Sequence, residues 1–263
     1  MAASESCYFY HIPKASGSTT WQLLQWYYPR ERICQGRMWE DIITLPKESF
    51  AHYHAFRGHF LAYLEPFLGR KLDTFTILRD PVERTISHYY HARRAREHPY
   101  HADALSMPLA EFCVHPRTRH MVQDYQCGYL ACPGGRSPEK VAEGMTQEDF
   151  AVYKLQLALD PRPDEFPPPD DLYRIAHDRL QSFVAVGITE RLQESLLSIA
   201  RALGLPDPPA FKMRNVGSNR PDKIDDETIK VIREHTQVDQ ALYDAVKPKV
   251  EERLDSLRET QLP

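Results

Sequence analysis

Two short segments about sixty residues apart constrain the fold of this chain more than any other feature. The first, Cys7-Tyr-Phe-Tyr-His-Ile-Pro-Lys-Ala-Ser-Gly-Ser-Thr-Thr20, runs from an aromatic and β-branched stretch into a proline, a lysine and a Ser/Gly/Thr turn. The second, Thr76-Ile-Leu-Arg-Asp-Pro-Val-Glu-Arg-Thr-Ile-Ser-His-Tyr-Tyr90, runs from a short apolar stretch into Arg-Asp-Pro. Each reads as a buried strand, a turn and then a helix. The strands are expected over residues 8–12 and 74–78. The helices are expected over 20–28, closed by Pro29, and over 82–96, with Asp80 as N-cap and Pro81 in the first turn.

Downstream, Phe183 to Gly187 reads as a third buried strand, and Glu190 to Leu203 as an amphipathic helix with Leu192, Leu196, Ile199, Ala200 and Leu203 on one face. Residues 171–181 and 225–247 read as further helices, 30–56 as loop with short helix, and the proline-rich 160–171 as a surface loop. Trp21 and Trp26 are expected in the core, and Arg84 at the surface or in an ion pair. Strands alternating with helices predict an α/β, P-loop-like three-layer fold, a central parallel sheet flanked by helices. At 263 residues one domain over 1–263 is expected.

The net charge of −4 argues against a nucleic-acid partner, so any basic surface must be local. No apolar run approaches the ~20 residues of a membrane span, and a first strand near Cys7 leaves no room for a leader. A soluble, cytoplasmic protein is expected. The five cysteines form no CxxC pair and are expected as reduced, buried thiols.

The first turn is a candidate anion site. Backbone N–H groups at a helix start, with Gly17 and the hydroxyls of Ser16, Ser18, Thr19 and Thr20, suit a phosphate, and Lys14 adds a mobile charge. The lysine precedes the small residues, so the Walker A order is absent and ordinary ATP or GTP binding is not supported. A ligand-free capping turn is the plainer alternative. In the second turn, Arg79 and Ser87, eight residues on, can hold one phosphate between a guanidinium fork and a hydroxyl. Two phosphate cradles on one sheet point to a nucleotide with phosphates at both ends of its ribose.

Together these segments resemble the sulfotransferase superfamily that uses 3′-phosphoadenosine 5′-phosphosulfate (PAPS). His11 to Thr19 is similar to its 5′-phosphosulfate loop, and Arg79 to Ser87 to its 3′-phosphate motif. Arg57-Gly-His-Phe60 resembles the Gly-His segment of the uronosyl 2-O branch. Val186 to Arg191 and Arg214-Asn-Val-Gly-Ser-Asn-Arg-Pro221 resemble downstream blocks of Golgi-type and bacterial carbohydrate members. The resemblance implies sulfuryl transfer from PAPS to the hydroxyl of a small-molecule or carbohydrate acceptor, with PAP as product. It further implies Lys14 as stabiliser of the bridging oxygen, Ser16 to Thr20 around the 5′ end, and Arg79 and Ser87 on the 3′-phosphate. Ser218 and Arg220, with Arg214 and Asn215, could close over the phosphates or form an exposed turn before the 225–247 helices, and His59 would be the general base.

Glu40, Asp41 or Glu65 could serve as base instead. Tyr89, Tyr90 and Arg93 could line the acceptor cleft or, for the tyrosines, form a core stripe. No metal is expected, since the His52/His54/His59 group has no carboxylate or thiolate to complete a familiar pattern. The chain departs from the family at Ser16, where many relatives have glycine, and at Arg57, where the branch often has a second histidine. The competing readings are a P-loop-type NTP-dependent kinase and a non-catalytic nucleotide-binding protein of the same fold.

Overall fold

The computed structural model describes residues 6–132, 135–212 and 223–259. Four strands, β1 (Cys7–Tyr10), β2 (Ala55–Gly58), β3 (Asp73–Leu78) and β4 (Ala185–Ile188), form one all-parallel sheet in the order β2-β1-β3-β4. The helices are α1 (Gly17–Tyr27), α2 (Leu64–Leu68), α3 (Pro81–Arg94), α4 (His101–Ser106), α5 (Leu109–Val114), α6 (Tyr125–Ala131), α7 (Pro138–Ala142), α8 (Gln147–Ala151), α9 (Lys154–Leu159), α10 (Pro169–Gln181), α11 (Leu192–Ala202), α12 (Asp226–Glu234) and α13 (Gln237–Glu259).

All four residues of β1 are buried, because the strand is central and both faces of the sheet are covered. Cys7 and Phe9 point to one face and pack with Leu23 and Leu24 of α1 and Leu196 and Ile199 of α11. Tyr8 and Tyr10 point to the other and pack with Tyr129 of α6, Leu172 and Leu180 of α10 and Leu242 of α13. Register fixes this alternation: Phe9 pairs with Phe75 of β3, and their rings stack at 5.3 Å. A third apolar cluster joins Val82, Ile86 and Tyr89 of α3 to Phe112 of α5 and Ile232 of α12.

Three of the four strands fall close to where the sequence places them. The fourth, β2, lies at the edge of the region read as loop with short helix, and it includes Arg57 and Gly58. It is an edge strand of four residues that pairs with β1 from Cys7↔Ala55 to Tyr10↔Gly58. Its strand character comes from that pairing and not from local preference. The expected third strand is therefore β4. Asp80 caps α3 through the Glu83 N–H, with Pro81 at the first position, as expected. The 225–247 stretch is two helices, the second continuing through Pro248 to Glu259.

Two side chains lie elsewhere than expected. Trp26 is 61% exposed, on the outer side of α1. Arg84 is fully buried rather than at the surface. Its guanidinium lies 4.4 Å from the Tyr125 ring and donates to the Met121 carbonyl at 2.6 Å and to His88 Nδ1 at 3.1 Å. Tyr89 donates to the Met107 carbonyl at 2.9 Å, and Arg93 to the Ala104 carbonyl at 2.6 Å. Both hold the α4 segment, and Tyr89, which is buried, belongs to the core-stripe reading. All five cysteines are buried and free. Among the described residues, no helix is long and apolar enough to cross a membrane.

Candidate functional site

A parallel sheet brings all its strand carboxyl ends to one edge, so the residues just after each strand become neighbours. Here they are His11 to Ser16 after β1, His59 after β2, Arg79 after β3 and Thr189 after β4. The strand order adds a second constraint. The chain leaves β1 for β2 on one side, while β3 lies on the other, so a crevice opens where the connections diverge. Open α/β sheets bind ligands at such switch points.

The loop after β1 is strained in a specific way. Lys14 and Ser16 both sit in the left-handed region, with φ of 72° and 60°. For non-glycine residues this costs about 1 kcal/mol or more each, and it persists where the surroundings enforce it. Ser16 occupies the cap position of α1, but its side chain does not cap the helix, and no acidic residue stands in the first turn. It donates to Thr189 Oγ1 at 3.0 Å, and Thr189 donates to the Leu78 carbonyl at 3.2 Å. The loop is thus tied across the sheet to β3 and β4, while the positive end of an eleven-residue helix keeps no side-chain compensation. Gly17 is required here, because a Cβ would collide with the His11 ring.

The four expected hydroxyls divide. Ser16 is engaged with Thr189, and Thr20 donates back to the Ser16 carbonyl at 3.1 Å. Thr19 is buried and Ser18 is exposed at the mouth of the loop. Sequence alone could not separate these roles.

Arg79 comes directly to this loop, its Nη1 donating to the Lys14 carbonyl at 3.2 Å. It also pairs with Glu83 one turn into α3, at 3.4 Å. Ser87 lies one further turn along the same face, roughly 6 Å along the axis. Because Asp80 already caps α3, the second cradle depends on the Arg79 and Ser87 side chains and not on the helix end. The backbone of Arg79 is held by a residue with no sequence signal: Gln126 of α6 accepts from Arg79 N–H at 3.1 Å and donates to its carbonyl at 2.8 Å. Asp239 of α13 accepts from the Gln126 and Cys127 N–H groups at 3.0 and 2.7 Å, and Asp124 accepts from Val238 and Asp239 N–H in return. These reciprocal caps lock α6 to α13, and burial beside Asp239 pushes the Asp124 carboxyl up to about 7.

The electrostatics are one-sided. Burial, then Arg94, Arg79 and Arg84, bring Lys14 down from 10.5 to about 8. Burial and then Lys14 bring His91 and His98 down to about 4. A protein of net charge −4 has gathered cations around one loop, which is the field an anionic ligand requires.

His59 sits beside this loop, its ring 4.6 Å from that of His11. Its Nδ1 is 3.1 Å from the His11 carbonyl and 3.1 Å from the Tyr129 hydroxyl. A carbonyl only accepts, so Nδ1 carries the proton and Nε2 presents a lone pair. Burial holds the imidazole down at about 4, so it is neutral near pH 7 and in the base form. Gln156 supports the same residue from its backbone, donating to the His59 carbonyl at 3.0 Å.

Two of the alternative carboxylates are committed elsewhere, and the third, Glu40, keeps one buried oxygen without a hydrogen-bond partner. Asp41 accepts from Arg37 and Met38 N–H, and Glu65 accepts from Leu72 N–H and pairs with Lys71. Glu40 accepts from Gln156 N–H at 2.8 Å, one residue removed from His59. The structure therefore brings Lys14, Ser16, Gly17, Ser18, His59 and Arg79 to one crevice, with Ser87 flanking it. Ser218 and Arg220, with Arg214 and Asn215, lie outside the described residues. Neither a known family model nor a curated protein matches the chain.

Proposed function

We propose that this protein is a sulfotransferase of P-loop-like three-layer architecture, moving a sulfuryl group from PAPS to an acceptor hydroxyl, with carbohydrates the first class to test. The observation that carries the reading is the approach of Arg79 to the Lys14 carbonyl at 3.2 Å, which sets two anion-binding loops side by side at one switch point. A ligand with anionic groups at both ends of a ribose can engage both loops. PAPS supplies an activated sulfuryl group whose departure leaves negative charge on a phosphate oxygen.

The protein's own groups suit each need. The uncompensated end of α1 and Lys14 offer positive charge where the leaving oxygen gains it. Arg79 and Ser87 suit the 3′-phosphate, which exchanges with Glu83 for the guanidinium. Ser16 and Thr20 hold the loop in shape rather than reaching for the ligand. His59 Nε2 is the acceptor for the hydroxyl proton, its Nδ1–H fixed by the His11 carbonyl. An anion bound nearby favours the imidazolium and so raises the basicity of His59 as the complex forms. The five buried free thiols suit a reducing compartment such as the cytoplasm.

Incubation with sulfur-labelled PAPS and fractionated hydroxylated metabolites tests the reading. Label transfer without added magnesium, lost in Lys14→Ala and in His59→Ala, is the expected result. Stabilisation by Mg-ATP, with no response to PAP, would instead favour a kinase.

A further inference from the structure

Arg57 is one of the two positions at which the chain departs from its resemblance, and its surroundings are unusual. It leaves β2 toward α1, where its guanidinium carbon lies 3.7 Å from the centroid of a Trp21 ring, in stacking distance. Its Nε is buried and meets no hydrogen-bond acceptor. Burial and then Arg37 lower its pKa to about 10, and no acidic group among the described residues opposes them. A partly dehydrated guanidinium beside a like charge is unfavourable unless an anion joins it.

The placement is fixed and lies at the proposed reacting centre. Gly58 has no room for a side chain, since a Cβ would lie 2.6 Å from the Arg37 carbonyl. His59 N–H donates to that same carbonyl at 2.8 Å. Arg37, Arg57 and His59 are thus one backbone unit, and both arginines act on the His11 and His59 rings. Arg37 also lines a cleft of about 510 Å³ with Gln35, Met38, Tyr53 and Tyr153, so open space lies beside that member of the unit.

We propose that the Trp21-stacked guanidinium of Arg57, flanked by Arg37, is an oxyanion subsite beside the transferring centre. It takes either the sulfonate end of the donor or an acidic group carried by the acceptor. Both present the same chemistry, two oxygens in the plane of a guanidinium fork. Stacking on Trp21 holds that plane before the ligand arrives. The inference rests on the sulfotransferase reading, and the experiment separates failure of one from failure of the other.

Calorimetry compares PAP and PAPS, which differ only by the sulfonate, on the wild type, Arg57→Ala, Arg57→Lys and Trp21→Leu. If the donor supplies the anion, Arg57→Ala weakens PAPS about 30-fold, the worth of a charge-assisted pair, and leaves PAP within about twofold. If the acceptor supplies it, both nucleotides bind as before, and PAP-loaded Arg57→Ala loses about 30-fold in affinity for oligogalacturonate but not for neutral maltooligosaccharide. In either case Arg57→Lys and Trp21→Leu fall between, because charge survives without the oriented plane.

Unchanged binding of PAPS and oligogalacturonate in Arg57→Ala overturns the subsite. So does equal loss of PAP and PAPS with a lowered melting temperature, which marks a structural stack. If the wild type binds neither nucleotide, the sulfotransferase reading fails and inorganic sulfate decides the subsite alone. Thermal stabilisation by sulfate that Arg57→Ala abolishes keeps it, and stabilisation that survives the substitution overturns it.

Discussion

Replacing Lys14 by methionine is expected to make the protein more stable while weakening its hold on an anionic ligand. Lys14 is held at about 8, against 10.5 for an ordinary lysine, by burial and by Arg94, Arg79 and Arg84. A shift of that size corresponds to ~3 kcal/mol of opposition to the charged form. Solvent screening at a site that is only partly closed reduces it to ~1–2 kcal/mol. The folded-state pKa lies below the unfolded one, so the penalty is fully present below about pH 8 and fades as pH rises toward 10.5. Methionine keeps most of the side chain's length and apolar contact and carries no charge. Lys14→Met should therefore gain ~1–2 kcal/mol at pH 7, seen as a higher urea midpoint and a melting temperature about 3–5 °C above wild type. The gain should shrink by pH 9.5, where wild-type Lys14 is mostly neutral in the folded state. PAP should at the same time bind far more weakly to the variant at pH 7. A variant less stable than wild type at pH 7, or a stability difference that does not change between pH 7 and 9.5, would refute the argument that this loop holds charge at a cost.

Other consequences follow from the same geometry. Arg79→Ala should weaken PAP binding by about 30–100-fold, the loss of a bidentate charged contact, and more than Lys14→Ala does; calorimetry giving equal losses contradicts the assignment. Gln126→Leu removes the two hydrogen bonds that Gln126 makes to the Arg79 backbone and should cost ~1–3 kcal/mol in stability and about tenfold in PAP affinity, though no ligand atom touches it. Gln126→Glu, which keeps the acceptor and loses the donor, should fall between in the same titration. kcat/KM, which reports the free protein, should rise with pH as His59 loses its proton near 4, stay level, and fall above about 8 as Lys14 loses its own. His59→Ala should abolish turnover across the whole pH range and leave PAP affinity within about twofold.

The parts of this molecule written in local sequence were legible, and the parts made by pairing were not. Residues 8–12 and 74–78 read as strands, close to the observed Cys7–Tyr10 and Asp73–Leu78, because buried central strands are continuous apolar and aromatic runs. Asp80-Pro81 read as a helix start because capping is a local interaction. β2 was not legible, since Ala-Phe-Arg-Gly becomes a strand through the edge of β1. The helices between 101 and 159 are five to seven residues each, too short to show a helical period.

At the site, Lys14, Arg79 and His59 stood out through their neighbours in the chain. Gln126, Tyr129 and Thr189 reach the site only through tertiary packing, from α6 and from the end of β4. Arg84 misled because a buried arginine resting on a tyrosine looks in sequence like any helix arginine. Trp26 misled because its outward placement on α1 depends on which face meets the sheet.

The most direct test of the central claim, that one ligand spans the Lys14 and Arg79 loops, is calorimetry in EDTA with PAP, 5′-AMP and 3′-AMP. Two cooperating anion loops predict that PAP binds at least about tenfold more tightly than either monophosphate. PAP binding no tighter than 5′-AMP would mean that the Arg79 loop takes no phosphate, and the account would fail.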